Sequence, residues 1–168
     1  MRIVGIDASS NKTGIAIFQD SEYVEHVLID LHKIKDPDVR IPKMMVEICK
    51  YIKKHGADRI IMEKSMMKNN IDTVQKLSNI AGAVMLYAAT KGMEFQHVYP
   101  SEWRRKIGLQ QSTQIKREVL KEEAVQAVKQ EYGMDVTDDE AESILIARSG
   151  FDLPKIEVEA ENALYSTK

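Results

Sequence analysis

Met1-Arg2-Ile3-Val4-Gly5-Ile6-Asp7-Ala8-Ser9 is the stretch on which the fold turns. Ile3, Val4 and Ile6 are β-branched and suit a buried strand, so Asp7 emerges where the apolar run stops. An ionised carboxylate in that position is costly unless a cation, a partner or solvent compensates it. Two more acids stand in comparable settings: Glu63 closes Ile60-Ile61-Met62, and Glu142 lies within Asp139-Glu140-Ala141-Glu142-Ser143-Ile144. The rest of the chain is the scaffold that brings these three places together.

Downstream of Asp7, a polar link through Gly14 leads to Ile15-Ala16-Ile17-Phe18, which suggests a hairpin with Gly14 supplying backbone freedom. Tyr23 to Leu31 alternates loosely and makes a third strand of the same meander. Pro37 and Pro42 bracket a break, and Met45, Ile48, Cys49 and Ile52 recur at helical spacing up to Gly56. Arg59 to Glu63 is then a strand set parallel to the first by the helical crossover. A long helix with the stripe Ile71, Val74, Leu77, Ile80, Ala81, Val84, Met85 and Ala88 runs up to Gly92. Phe95 to Val98 forms a fifth strand, and Ser101 is a candidate cap for a short helix at Pro100 to Trp103. Ile115 to Val128 has one apolar face, and a last helix starts at Thr137. The expectation is an α/β protein with one domain over residues 1–150 and a peripheral tail over 151–168.

The 168 residues are enough for one well-buried domain, and 30% charged with 43% hydrophobic residues is an ordinary globular composition. The net charge of −2 hides strong local asymmetry. Between residues 100 and 121, Arg104, Arg105, Lys106, Lys116, Arg117 and Lys121 outnumber Glu102 and Glu118, while residues 131–142 contain six acids and no base. The single cysteine, Cys49, excludes an internal disulfide and reads as a buried, inert thiol. With no apolar run approaching the ~20 residues of a membrane span and no signal-peptide core, the expected compartment is the cytoplasm, that of the host cell if the chain is phage-encoded.

Some of the terminal acids have a purely structural explanation. Thr137 and Glu140 fit the capping box, in which Glu140 returns a hydrogen bond to the cap residue. Asp138 and Asp139 sit in the first turn, where the helix dipole favours acids. Glu142 lies past the cap, three residues from Asp139, which puts both carboxylates on one helix face. Acids at two strand ends and a helix, beside basic segments, suit divalent-metal chemistry on a phosphodiester. Zinc is disfavoured, because His26, His32, His55 and His97 have no ligand spacing and no cysteine pair exists.

Gly5-Ile6-Asp7-Ala8-Ser9-Ser10-x-x-Thr13-Gly14, the strand ending Ile61-Met62-Glu63, the Lys68-Asn69 step leading to Lys76-Leu77 and Gly82, and Asp139-x-x-Glu142-Ser143-Ile144 together resemble the RuvC family of Holliday junction resolvases. The phage-type members are the nearest in kind, through a Pro-Ser-x-Trp-Arg segment like Pro100 to Arg104. The resemblance covers residues 1–149 and implies a ribonuclease H-like fold, a mixed five-stranded sheet flanked by helices. It implies a homodimeric endonuclease that nicks Holliday junctions and other branched DNA with Mg2+, or Mn2+ as substitute, and two ions per site. Carried over by position, the catalytic and metal-binding acids are Asp7, Glu63, Asp139 and Glu142, with Asp138 as substitute for Asp139. The implied DNA-binding set is Ser10, Lys12, Met66, Lys68, Asn69, Arg104, Arg105, Lys116, Arg117 and Lys121. Two departures stand out: the family more often has aspartate where Glu142 stands, and Met66 occupies the neighbourhood in which bacterial members carry a stacking aromatic. Other readings stay open. Asp7 with Thr13-Gly14 also resembles the phosphate hairpin of actin-like and sugar-kinase-like ATPases, and an RNA-processing nuclease or a non-catalytic nucleic-acid-binding module of the same fold shares most of these features.

Overall fold

Successive side chains of a strand point to opposite faces, so Ile3, Gly5 and Asp7 share one face of β1 (Arg2–Asp7) and Val4 and Ile6 the other. The computed structural model describes residues 1–64, 70–110, 112 and 114–154, and the two faces of β1 open onto its two hydrophobic cores. β1 pairs antiparallel with β2 (Lys12–Gln19), and β2 with β3 (Glu22–Asp30). On its other side β1 pairs parallel with β4 (Arg59–Glu63), and β4 with β5 (Glu94–Val98), giving the order β3-β2-β1-β4-β5. Asp20 and Ser21, both at positive φ (50° and 73°), form the tight turn of the β2–β3 hairpin, a conformation that matches the strand twist.

Helices α1 (Pro37–His55) and α2 (Ile71–Thr90) pack on the face of Val4, Ile6, Ile15 and Ile17. Helices α3 (Pro100–Lys106), α4 (Arg117–Tyr132) and α5 (Asp138–Ser149) cover the opposite face around Ile3, Phe18, Ile61 and Trp103. Each fully buried isoleucine contributes roughly 1.5–3 kcal/mol through apolar area removed from water. α5 lies directly on β1 and β2. A Cβ on Gly5 would stand 2.3 Å from the Ala147 amide nitrogen, and one on Gly14 would stand 2.1 Å from the Asp139 carbonyl oxygen. The far end of α5 is tied down by Arg59, 1% exposed, whose guanidinium donates to the carbonyls of Gly150 (2.8 Å), Leu153 (3.2 Å) and Pro154 (2.5 Å).

Several expectations change. Gly14 lies within β2 without a positive φ, so its role is to admit α5 rather than to form a turn. Pro37 and Pro42 do not bracket a break: Pro37 opens α1 behind the Asp36 cap, and Pro42 lies inside the helix. Tyr99, not Ser101, caps α3, its amide donating to Glu102 at 2.8 Å. α4 begins at Arg117 rather than Ile115. On α2, Ile80, Ala81, Val84 and Ala88 are buried as the stripe predicts, whereas Ile71 and Met85 are exposed. Cys49 is only half-buried. Phe151 and Leu153 pack into the core, so the folded unit continues past 150 to at least Pro154. Among the described residues no helix is long and apolar enough to cross a membrane.

Candidate active site

Asp7 and Glu63 meet through register. Gly5 pairs with Ile61 and Ile6 with Met62 across the parallel β1–β4 ladder, which sets Asp7 level with Glu63 at the carboxyl ends of neighbouring strands. Both point to the α5 face, because Ile3, Gly5, Asp7 and Arg59, Ile61, Glu63 are successive same-face positions. Asp7 also pairs with Gly14, and it is over Gly14 that the Asp139 carbonyl sits. The close approach of α5 thus delivers Asp139 and, one turn on, Glu142 to the same sheet end.

The electrostatics record that convergence. Burial, followed by the charges of Glu142, Glu63 and Asp139, holds Asp7 well above the usual carboxylate range, against an opposing pull from Lys121. Burial and Glu142 push Glu63 up to about 7, although the Trp103 indole, Arg117 and Arg104 all act to lower it. Burial likewise raises Asp139 and Glu142, with Lys121 and Arg117 offsetting part of the effect at each. Asp138 behaves differently. Burial acts upward on it, but its hydrogen bond and ion pair with Lys121 outweigh that and its pKa is lowered. Lys121 stands 3.8 Å from Asp139, so one ammonium serves both aspartates.

Glu140 is accounted for by the cap: Thr137 N donates to its carboxylate at 2.8 Å, and the Glu140 amide returns to the Thr137 hydroxyl at 3.4 Å. His26 adds a contact at 3.6 Å.

The basic residues divide. Arg105, Lys116 and Arg117 are exposed, and Lys12 is half-exposed, 3.4 Å from Asp30. Ser10 presents its carbonyl to Arg40 Nε at 2.8 Å, a bond that pins the β1–β2 turn. Arg104 leaves the DNA-binding set. It is 2% exposed, donating to Glu123 (2.5 Å) and to the carbonyls of Gln110 (2.7 Å) and Leu120 (3.1 Å), where it knits α3 to α4. Met66, Lys68 and Asn69 lie outside the described residues.

The donor set of Asp7, Glu63, Asp139 and Glu142 is all carboxylate, which fits a hard divalent cation, and its mutual repulsion is relieved by one. Among the described residues no three His, Cys, Asp or Glu side chains form a ready-made cage. Instead, carboxylate hydrogen bonds go to Trp103, on Glu63, and to Lys121, on Asp138. One consequence is measurable without substrate. Since burial and the Glu142 charge push Glu63 up to about 7 in the folded chain, against an ordinary glutamate value of about 4.5 in the unfolded one, the folded state holds the proton more tightly. The associated stability is complete below about 4.5 and is lost as pH rises through about 7, on the order of 3 kcal/mol. Melting of the metal-free protein should therefore fall across that window, and Glu63→Gln should flatten the fall. An unchanged profile in the variant would assign it to other groups.

A family model for crossover junction endodeoxyribonuclease RuvC matches residues 3–142, a span that takes in all four acids. The chain belongs to the RuvC family. The RuvC of Nocardioides sp. strain JS614 is 25% identical over 107 residues, 61% of this chain and 60% of that protein. The RuvC of Mycobacterium leprae is 22% identical over a similar span, 57% of its length, so the match spans less than two thirds of the curated relatives. Thermus thermophilus RuvC, solved in complex with a Holliday junction substrate, superposes with a TM-score of 0.69 at 13% identity, covering 89% of this chain and 92% of that one. The fowlpox virus resolvase, solved with Holliday junction DNA, gives 0.63 at 14% identity over 90% and 97% of the two chains. At these identities the likeness is one of fold, and the mixed sheet with flanking helices is the ribonuclease H-like fold of the RuvC family. Within that fold, Trp103 and Arg40 are the site-supporting residues that sequence reasoning missed. The Pro-Ser-x-Trp-Arg segment was the available signal for Trp103, and Arg40 left none.

Proposed function

We propose that this RuvC-family chain is a metal-dependent, structure-selective endonuclease that cleaves Holliday junctions and other branched DNA by phosphodiester hydrolysis. It acts in DNA recombination and repair, as a homodimer in the cytoplasm. The observation that carries this function is the meeting of Asp7, Glu63, Asp139 and Glu142 at one sheet end, where each carboxyl is raised by burial and Asp7 and Glu63 by their acidic neighbours as well. These four would hold Mg2+, or Mn2+ in its place, two ions per site. Bound there, the ions supply Lewis-acid polarisation of the scissile phosphate and a water that is nucleophilic near neutral pH. Asp139 is preferred over Asp138 because its charge is one of those that raise Asp7, whereas Asp138 accepts the Lys121 hydrogen bond.

The chain's own residues do the rest. Lys12, Arg117 and Lys121 place positive charge around the acids and orient a phosphate toward them. Ser10, Arg105 and Lys116 extend the backbone-binding rim, and Met66, Lys68 and Asn69 are assigned to DNA binding from the sequence alone. Opposed nicks need two sites related by a two-fold axis. The outer surface of α2 suits that contact: Ile71 is 86%, Leu86 67% and Met85 46% exposed, and Gly82 faces open space. Ala81 packs inward, leaving Gly82 to allow close approach.

Labelled four-way, forked and linear duplex DNA, incubated with and without Mg2+, test the activity. Paired nicks in the branched substrates only with the metal are expected; metal-independent cutting, or equal cutting of linear duplex, would overturn the assignment. Sedimentation at micromolar concentration should give a dimer.

The terminal acids offer a second check. Glu140→Gln can still complete the capping box, so cleavage should persist with a stability change within about 1 kcal/mol. Glu142→Gln should lose cleavage and keep or gain stability without metal, because it removes one of a set of mutually repelling charges. The reverse pattern would mean that Glu140, not Glu142, is the working acid.

A further inference from the structure

The Pro100-Ser101-Glu102-Trp103-Arg104 segment holds a side chain whose polar end is neither needed by the core nor exposed to water. Trp103 is fully buried, and its indole N–H donates to Glu63 Oε2 at 2.6 Å. Burying an indole demands a partner for that N–H, and a backbone carbonyl would serve as well. Here the partner is one of the four converging acids, 40 residues away in sequence. The indole is itself fixed. The Arg104 guanidinium carbon lies 5.1 Å from its ring centroid, and Arg104 is anchored on Glu123 and on the Gln110 and Leu120 carbonyls. A connected series therefore runs from α4 through Arg104 and Trp103 to Glu63.

We infer that Trp103 is a positioning residue for Glu63: it occupies one carboxylate oxygen, fixes the side chain's rotamer, and leaves Oε1 as the oxygen offered to a divalent cation. This rests on the metal site proposed above. A glutamate with both oxygens free samples several rotamers and either mode of chelation; one held at Oε2 keeps one rotamer and presents Oε1, free of that bond, in one place. Outer partners of metal ligands act in this way, and their loss weakens metal binding roughly 10- to 100-fold. The Pro-Ser-x-Trp-Arg pattern then has a division of labour: proline starts the helix, tryptophan holds the acid, and arginine holds the tryptophan.

The test replaces Trp103 with β-(3-benzothienyl)alanine, which keeps the bicyclic shape and puts sulfur where the N–H was, with Trp103→Phe as the genetically encoded companion. Mn2+ binding is measured through the electron paramagnetic resonance signal of the free ion, and cleavage is followed as a function of Mn2+. The substituted protein should bind Mn2+ roughly 10- to 100-fold more weakly. It should cleave poorly at limiting Mn2+ and recover as Mn2+ is raised, a rescue that a merely structural defect would not give. Equal Mn2+ affinity in wild type and the benzothienyl protein would overturn the positioning role and leave the metal site standing. Absence of Mn2+ binding by the wild type would overturn both.

Discussion

An Asp7→Asn protein should fold, bind branched DNA at least as tightly as the wild type, and cleave it roughly 10³-fold or more slowly, the scale on which loss of a preorganised electrostatic element registers. Asparagine fills the same volume, so β1 keeps its packing. What changes is charge. Asp7 feels the charges of the other three acids, Glu142 most strongly, and neutralising it takes one carboxylate out of that set. The same change removes a repulsion against DNA phosphate, hence the retained or tighter binding. The metal-free variant should also gain stability above neutral pH, where the wild type bears the cost of ionising a raised carboxyl. A variant that still cuts at an appreciable fraction of the wild-type rate would sink the metal-site assignment.

Gly14→Ala should be a damaging single-methyl change directly beneath Asp139. The new Cβ would meet the Asp139 carbonyl oxygen at 2.1 Å and the Ser143 hydroxyl oxygen at 3.1 Å, and the first of these is backbone that cannot rotate away. Relief requires the amino end of α5 to lift from β2. Overpacking of this kind costs about 1–3 kcal/mol, which in a domain of this size corresponds to a melting point lower by roughly 2–12 °C. The loss of cleavage should exceed what stability explains, about 10²-fold at a temperature where the protein is folded, because the acids of α5 move while Asp7 and Glu63 stay. Fully active, wild-type-stable Gly14→Ala would show that the contact relaxes without moving the helix.

The sheet was largely legible because its strands end on informative residues. Asp7 and Glu63 each close an apolar run, and period-two alternation is enough to put both on one face. The capping box at Thr137 and Glu140 was legible for the same reason, being a local pattern with a local cause. What the sequence concealed is non-local. Gly14 reads as a turn residue until the Asp139 carbonyl is seen above it. Arg104 belongs to a basic run by composition and to the α3–α4 joint by contact. Pro42 sits inside α1 because neighbouring Arg40 and Ile41 are buried and hold the helix against the local disruption. Trp103 was visible as part of a motif, but its partner lies 40 residues upstream.

Arg59 bears on the site from the opposite end of the molecule. Its bonds to the Gly150, Leu153 and Pro154 carbonyls fix the far end of α5, while Gly5 and Gly14 seat the rest on the sheet. A helix of 12 residues is ~18 Å long, so α5 behaves as a beam held at a remote bearing with its working tip at Asp139 and Glu142. A tilt of ~5° about the bearing at Gly150 displaces Asp139, ~16 Å away, by ~1.4 Å and Glu142, ~12 Å away, by ~1 Å, the scale of misplacement at which catalytic geometry fails. The tolerance of the acidic centre is thus set partly at a buried guanidinium that never approaches it, and wear at that bearing would register as lost activity before it registered as lost structure.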